Sequence, residues 1–142
     1  MYVLLVESRF EDQATILAIL TELGMRVDVV NSGAYAFVMA GLHRYDVILM
    51  DLHLPGMEAI ATIRKIRRLA AGGQTPIISI TDRLMNGTLT FAKCSEMDGY
   101  LFKPIDSIEL INMLWRILQC PKTLEDPLCS TDGFHELTIL GG

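Results

Sequence analysis

The chain has 142 residues, one domain's worth, long enough to bury a substantial core and too short for two ordinary domains. Hydrophobic residues make up 51% and aromatic residues only 7%, which points to an aliphatic core of the kind found where parallel strands are covered on both faces. A formal net charge of −5, with no basic run beyond Arg64, Lys65, Arg67 and Arg68, argues against a nucleic-acid footprint and leaves that cluster as a solvated helix face.

Cys94, Cys120 and Cys129 have neither CxxC spacing nor a histidine at a metal-ligand interval, so neither a zinc site nor a disulfide framework is indicated. Reduced thiols in a cytoplasmic compartment fit this usage. "MYVLLVESRF" is too short and too acidic for a signal peptide, and no apolar run approaches the roughly 20 residues that span a bilayer, so no membrane contact is expected.

In chain order, strand-length apolar runs alternate with segments of helical period. "YVLLV" at 2 to 6 is the first strand, and Ile16, Ile19, Leu20 and Leu23 share one face of the helix after it, with Gly24 at its C′ position. "RVDVV" at 26 to 30 is the second strand, followed by a short apolar helix, "AYAFVMAG". "DVILM" at 46 to 50 is the third, and Ile60, Ile63, Ile66 and Leu69 mark a helix that ends before the glycines at 72 and 73. "PIISI" at 76 to 80 is the fourth, followed by "RLMNGTLTFAKCSE", whose Asn-Gly and threonines make a poor helix. "GYLF" at 99 to 102 is the fifth. The last helix shows Ile108, Ile111, Trp115 and Leu118 on one side and opens with Asp106 and Glu109 in a capping-box arrangement. The tail from 119 to 142 loses periodicity and reads as a linker or extension, so the domain is expected over residues 1 to 118.

Five strands with helices between them imply an α/β fold with a parallel sheet, because right-handed crossovers return every strand in the same direction. Ligands of such sheets bind beyond the strands' C-terminal edge. The residues at the end of each run therefore carry the chemistry: Glu7 and Ser8, then Asp51, then Thr81 and Asp82, then Lys103 and Pro104. Acids, hydroxyls and one ammonium converge on a single crevice, and the third strand aims Asp51 into it.

"VLLVES", "YDVILMDLHLPGMEAIATIRKIR", "TPIISITD" and "MDGYLFKPID" together resemble the response-regulator receiver domain of two-component signalling, in particular the receivers of hybrid sensor histidine kinases. The resemblance implies a flavodoxin-like, doubly wound, five-stranded parallel sheet of order 2-1-3-4-5 with helices on both faces. It implies Asp51 as phospho-acceptor, Thr81 and Lys103 as the catalytic hydroxyl and ammonium, and Thr81 with Tyr100 as the switch pair. It also implies Mg2+ held by Glu7, Asp51 and the backbone carbonyl of His53, and a cis peptide before Pro104. The implied partner is a histidine kinase or histidine phosphotransfer domain. The chain would at most phosphorylate and dephosphorylate itself, without being a turnover enzyme.

Two positions depart from the family pattern at the site. Ser8 stands where a second metal carboxylate is usual, so Mg2+ is expected to bind weakly. "SRFE" also fits S-x-x-E, which would make Ser8 the N-cap of the first helix with Glu11 closing the box. Asp82 replaces a small residue and would either repel the incoming group or restore the missing charge. A third difference, Ala59 in "GMEAI" where glycine is frequent, reads as local backbone. The imidazole of His53 reads as a rim group, and Thr81 is also at home in any strand.

The sequence therefore carries two readings. One is a phosphoryl-accepting module in a phosphorelay. The other is a pseudo-receiver that binds proteins without phosphorylation because Ser8 and Asp82 impair the site. A haloacid-dehalogenase-type phosphatase would need an acid where His53 stands, and a flavodoxin-like cofactor binder would not place the acidic "ESRFED" against a phosphate.

Overall fold

The computed structural model describes residues 1–54, 58–69, 73–82 and 97–119. The expected helical segment at 83 to 95, Met57, Met85, all three cysteines, His135 and the tail from residue 120 lie outside the described residues. The chain divides into two compact units, the first Met1–Ile105 and the second beginning at Asp106.

The first unit contains β1 (Tyr2–Val6), α1 (Phe10–Glu22), β2 (Arg26–Val30), α2 (Gly33–Leu42), β3 (Val47–Asp51), α3 (Glu58–Arg67), β4 (Ile77–Thr81) and β5 (Gly99–Phe102). The five strands form one sheet of order β2-β1-β3-β4-β5, and every pairing is parallel. Alternate side chains divide between the faces. Leu4, Val6, Ile48, Met50 and Ile77 join Ala36 and Ala40 of α2 and Ile63 and Ile66 of α3 in one cluster. Val3, Leu5, Val47, Leu49, Ile78 and Ile80 face the other way and are equally inaccessible. Each such aliphatic side chain contributes about 1.5–3 kcal/mol relative to exposure, which explains why the core needs so few aromatics.

β3 and β4 each run one residue beyond the apolar stretch that announces them, and each starts one residue later. Ladder bonds are made by the main chain, whatever the side chain's polarity. Asp51 pairs in register with Ile80, and Thr81 with Phe102, so both polar residues are themselves strand residues. Asp46 lies outside the strand, and its carboxylate accepts the Tyr2 N–H at 2.7 Å.

The helix ends show how local chemistry places the elements. At the C-terminus of α1, Gly24 takes φ 77°, its N–H donates to Thr21 O at 2.9 Å and the Met25 N–H to Leu20 O at 3.1 Å, a Schellman motif. Ser32 caps α2 by accepting the Tyr35 N–H at 3.2 Å. The expectation that Ser8 caps α1 is corrected: the N-cap is Arg9, which makes no side-chain capping bond. The Glu7 carboxylate accepts the Arg9 N–H at 3.1 Å and the Gln13 amide donates to Glu7 O at 2.5 Å, and together these delay the helix by one residue.

One further expectation changes. Arg67 does not belong to a solvated face: it pairs with Asp98 at 2.7 Å and donates to Gly73 O at 3.3 Å and Thr75 O at 2.5 Å. Asp98 also accepts the Ile77 N–H at 2.7 Å, so this ion pair fastens the end of α3 to the starts of β4 and β5. His43 follows α2, and its ring meets those of Tyr2 and Tyr45 edge-on at 6.1 and 6.0 Å. Both tyrosine hydroxyls donate to Asp28 Oδ2, and the Tyr2 hydrogen bond is the main cause that holds the Asp28 carboxyl below its usual range.

In the second unit, α4 (Ser107–Gln119) starts at Asp106, whose carboxylate accepts the Ile108 N–H at 2.8 Å. The expected apolar face is not the buried one. Leu110 and Leu114 are buried, whereas Ile108, Trp115 and Leu118 are exposed. The helix carries one broad apolar arc with Leu114 near its middle, and Ile108 and Trp115, among the residues expected to be buried, lie at its edge. Among the described residues no helix is long and apolar enough to cross a membrane.

Candidate functional site

Parallel register brings the strand ends level. Val6 pairs with Met50, Asp51 with Ile80 and Thr81 with Phe102, so Glu7, Asp51, Thr81 and Lys103 leave the same edge of the sheet. The Glu7 N–H extends the ladder to Val30 O at 3.0 Å, and the Lys103 N–H donates to Thr81 O at 2.8 Å. The Lys103–Pro104 peptide is cis.

At this edge the side chains meet on one nitrogen. Lys103 Nζ lies 2.9 Å from Glu7 Oε1, 2.8 Å from Asp12 Oδ2 and 3.5 Å from Asp51 Oδ2. Glu7 and Asp51 are 0% and 1% exposed, a burial that an unpaired carboxylate could not sustain. The other oxygen of each is held by main chain: Glu7 Oε2 by the Arg9 N–H, and Asp51 Oδ1 by the His53 N–H at 2.9 Å. Thr81 is fully buried, and its hydroxyl donates to Asp82 O at 3.3 Å.

The electrostatics follow from this crowding. Burial, reinforced by the neighbouring Asp51, pushes the Glu7 carboxyl up from 4.5 to about 7 against the opposing pull of Lys103 and the Arg9 N–H. For Lys103, burial works against the charged form, but the hydrogen bonds to Asp12 and Glu7 and the charge of Asp51 outweigh it and hold the ammonium above its ordinary value. Three acids thus surround one cation.

Glu7 Oε1 and Asp51 Oδ2 are buried oxygens that face the Lys103 ammonium, at 2.9 and 3.5 Å. These are hard oxygen donors of the kind that Mg2+ takes, one or two carboxylates with water completing its shell. The donor set therefore fits such an ion. Among the described residues no three His, Cys, Asp or Glu side chains are gathered to hold a metal on their own.

Of the residues singled out in the sequence, Glu7, Asp51 and Lys103 are in contact, and Thr81 adjoins them through the ladder. His53 contributes its N–H to Asp51 while its side chain is exposed. Ser8 and Asp82 are half-buried beside the same edge. Tyr100 lies in β5, half-buried, with its ring edge-on to Phe102 at 5.7 Å. Asp12 is not among the residues that the sequence singles out. It sits in the first turn of α1, where an acid is ordinarily explained by the helix dipole alone.

Residues 3–115 match the family model of the response regulator receiver domain. The chain is 33% identical over 116 residues to signal transduction histidine-protein kinase BarA of Escherichia coli K12, covering 82% of this chain and 13% of that protein. It is also 33% identical over 118 residues to two-component system protein A of Emericella nidulans, covering 81% of this chain and 17% of that protein. The chain thus spans less than a fifth of the length of these two relatives.

Among solved structures, the receiver domain of sensor histidine kinase PA1611 from Pseudomonas aeruginosa PAO1, with a magnesium ion coordinated in its active site cleft, is similar at a TM-score of 0.78 and 36% identity, covering 83% of this chain and 97% of that one. Chemotaxis response regulator CheY4 of Vibrio cholerae is similar at a TM-score of 0.75 and 26% identity, covering 82% of this chain and 98% of that one. With the sheet order, the parallel register and these matches in agreement, the chain belongs to the response regulator receiver domain family.

Proposed function

We propose that this receiver accepts a phosphoryl group on Asp51 from the phosphohistidine of a histidine kinase or histidine phosphotransfer domain. A carboxylate oxygen of Asp51 attacks phosphorus, the P–N bond to imidazole breaks, and the imidazole leaves with a proton from solvent. The product is an aspartyl phosphate. Lys103 and Thr81 offer donors to the phosphoryl oxygens as negative charge shifts onto them. When bound, Mg2+ would neutralise charge on those oxygens, with Glu7, Asp51 and the His53 carbonyl as the groups that hold it. Loss of the Thr81 hydroxyl's bond to the Asp82 carbonyl, with movement of Tyr100, is the proposed switch.

The observation that carries this reading is the buried Asp51 carboxylate 3.5 Å from the Lys103 ammonium, which is itself 2.9 Å from buried Glu7. Similarity to a histidine kinase and to a two-component protein supports a phosphorelay setting. The domain is proposed to occupy residues 1 to 118, with 119 to 142 as a connection, in a cytoplasmic environment. The test is labelling by acetyl phosphate with and without Mg2+. Mg2+-dependent labelling that Asp51→Asn abolishes is expected, and labelling unchanged by that substitution overturns the assignment. A folded, Mg2+-binding chain that takes no label would favour the pseudo-receiver reading.

A further inference from the structure

Among the described residues the shortest ion pair of the Lys103 ammonium is with Asp12, a residue outside the strand-end set, at 2.8 Å. Asp12 lies on the first turn of α1, four residues after Ser8, and its side chain is one-third exposed. Deeper in, Glu7 Oε1 and Asp51 Oδ2 are buried and both turned toward the same ammonium, at 2.9 and 3.5 Å. Lys103 is the cation that both buried oxygens face in this geometry. The serine at position 8 adds no charge toward holding one.

We propose that Asp12 supplies the negative charge that Ser8 does not, acting as a positioning residue that holds Lys103 while Glu7 and Asp51 turn to a divalent cation. The inference rests on the reading of this edge as a receiver's cation pocket. In the geometry described, the ammonium shares Glu7 and Asp51 with any cation that enters. A divalent ion binding these carboxylates repels Lys103, and the ammonium, half-buried, needs an acid to remain charged. Asp12 is already in contact with it and is anchored on a different element from either of the acids the cation takes. The helix N-terminus favours a carboxylate there as well.

Outer groups that orient or charge-balance a metal's ligands typically contribute about 10- to 100-fold in affinity. Mg2+ binding is measured directly by isothermal titration calorimetry at about pH 8, where Glu7 is ionised, with Mn2+ as a spectroscopic probe of the same pocket. Asp12→Asn is expected to weaken Mg2+ about tenfold or more. Adding Ser8→Asp to that variant is expected to restore affinity, and to raise it far more there than in the wild type, because the two acids substitute for one another. Thermal melts without metal check that the variants fold.

Wild-type affinity in Asp12→Asn overturns the inference. So does a Ser8→Asp gain that is equal in both backgrounds, or the absence of any Mg2+ binding by the wild type. These outcomes are separable from a failure of phosphoryl acceptance: normal Mg2+ binding with the Asp12 dependence intact, but no label on Asp51, refutes the phosphorylation reading and leaves this one standing.

Discussion

Neutralising Glu7 tests whether the site is as crowded with charge as its geometry implies. The carboxyl is raised from 4.5 to about 7, chiefly by burial, so the folded protein holds a proton there that the unfolded chain has released. Below about pH 4.5 both states carry the proton and the neutral acid's contribution is complete. As pH rises toward 7 the unfolded state ionises first and stability falls, and above about 7 the contribution is lost. At about 1.4 kcal/mol for each tenfold change in proton affinity, the loss is about 3 kcal/mol, an upper figure because Lys103 shares the charge. Glu7→Gln removes the titration. Urea unfolding of both proteins in chelator, from about pH 4 to about pH 8, should therefore show the variant gaining about 2–3 kcal/mol relative to the wild type as pH rises. Millimolar Mg2+ should shrink that difference by stabilising the ionised wild-type carboxylate. Parallel pH profiles for the two proteins would refute the reasoning.

Two other changes test how the scaffold is pinned. Gly24→Ala should cost about 1 kcal/mol, since φ 77° is unfavourable for a residue with a Cβ, while no atom lies within 4 Å of that Cβ to add a clash; Gly24→Asn should recover part of the loss in the same urea titration. Arg67→Ala should cost about 2 kcal/mol by removing the Asp98 pair and the bonds to Gly73 O and Thr75 O, and Arg67→Lys should restore only part, because an ammonium lacks the planar fork. A cost below about 0.5 kcal/mol would put Arg67 back on a solvated face.

Strands are the legible part of this fold. "YVLLV", "RVDVV" and "GYLF" delimit β1, β2 and β5 to the residue; in β1 burial on both faces leaves a contiguous apolar record, whereas the half-buried edge strands β2 and β5 keep a β-branched or aromatic one. That record ends one residue early at Asp51 and Thr81, where the ladder continues on the main chain alone. Helix faces are less legible. In α4 the apolar arc is broad, and the residues singled out from spacing run along one flank of it while Leu110 and Leu114 are the buried ones. Glu7, Asp51 and Lys103 can be read from sequence because each immediately follows or ends a strand. Asp12 escapes that reading because a helix brings it to the site from outside the pattern, and Arg67 because its partner Asp98 is 31 residues away.

The acids at the strand ends are carried by the buried centre of the sheet. β1 is flanked on both sides by other strands, its residues from Val3 to Val6 are wholly inaccessible, and Glu7 continues that run. Relocating that carboxylate would mean shearing the sheet's centre, whereas an acid on an outer helix turn can be gained or dropped at small structural cost. Tuning of such a pocket over generations should therefore be concentrated on its helical rim, with the sheet edge kept as the invariant frame.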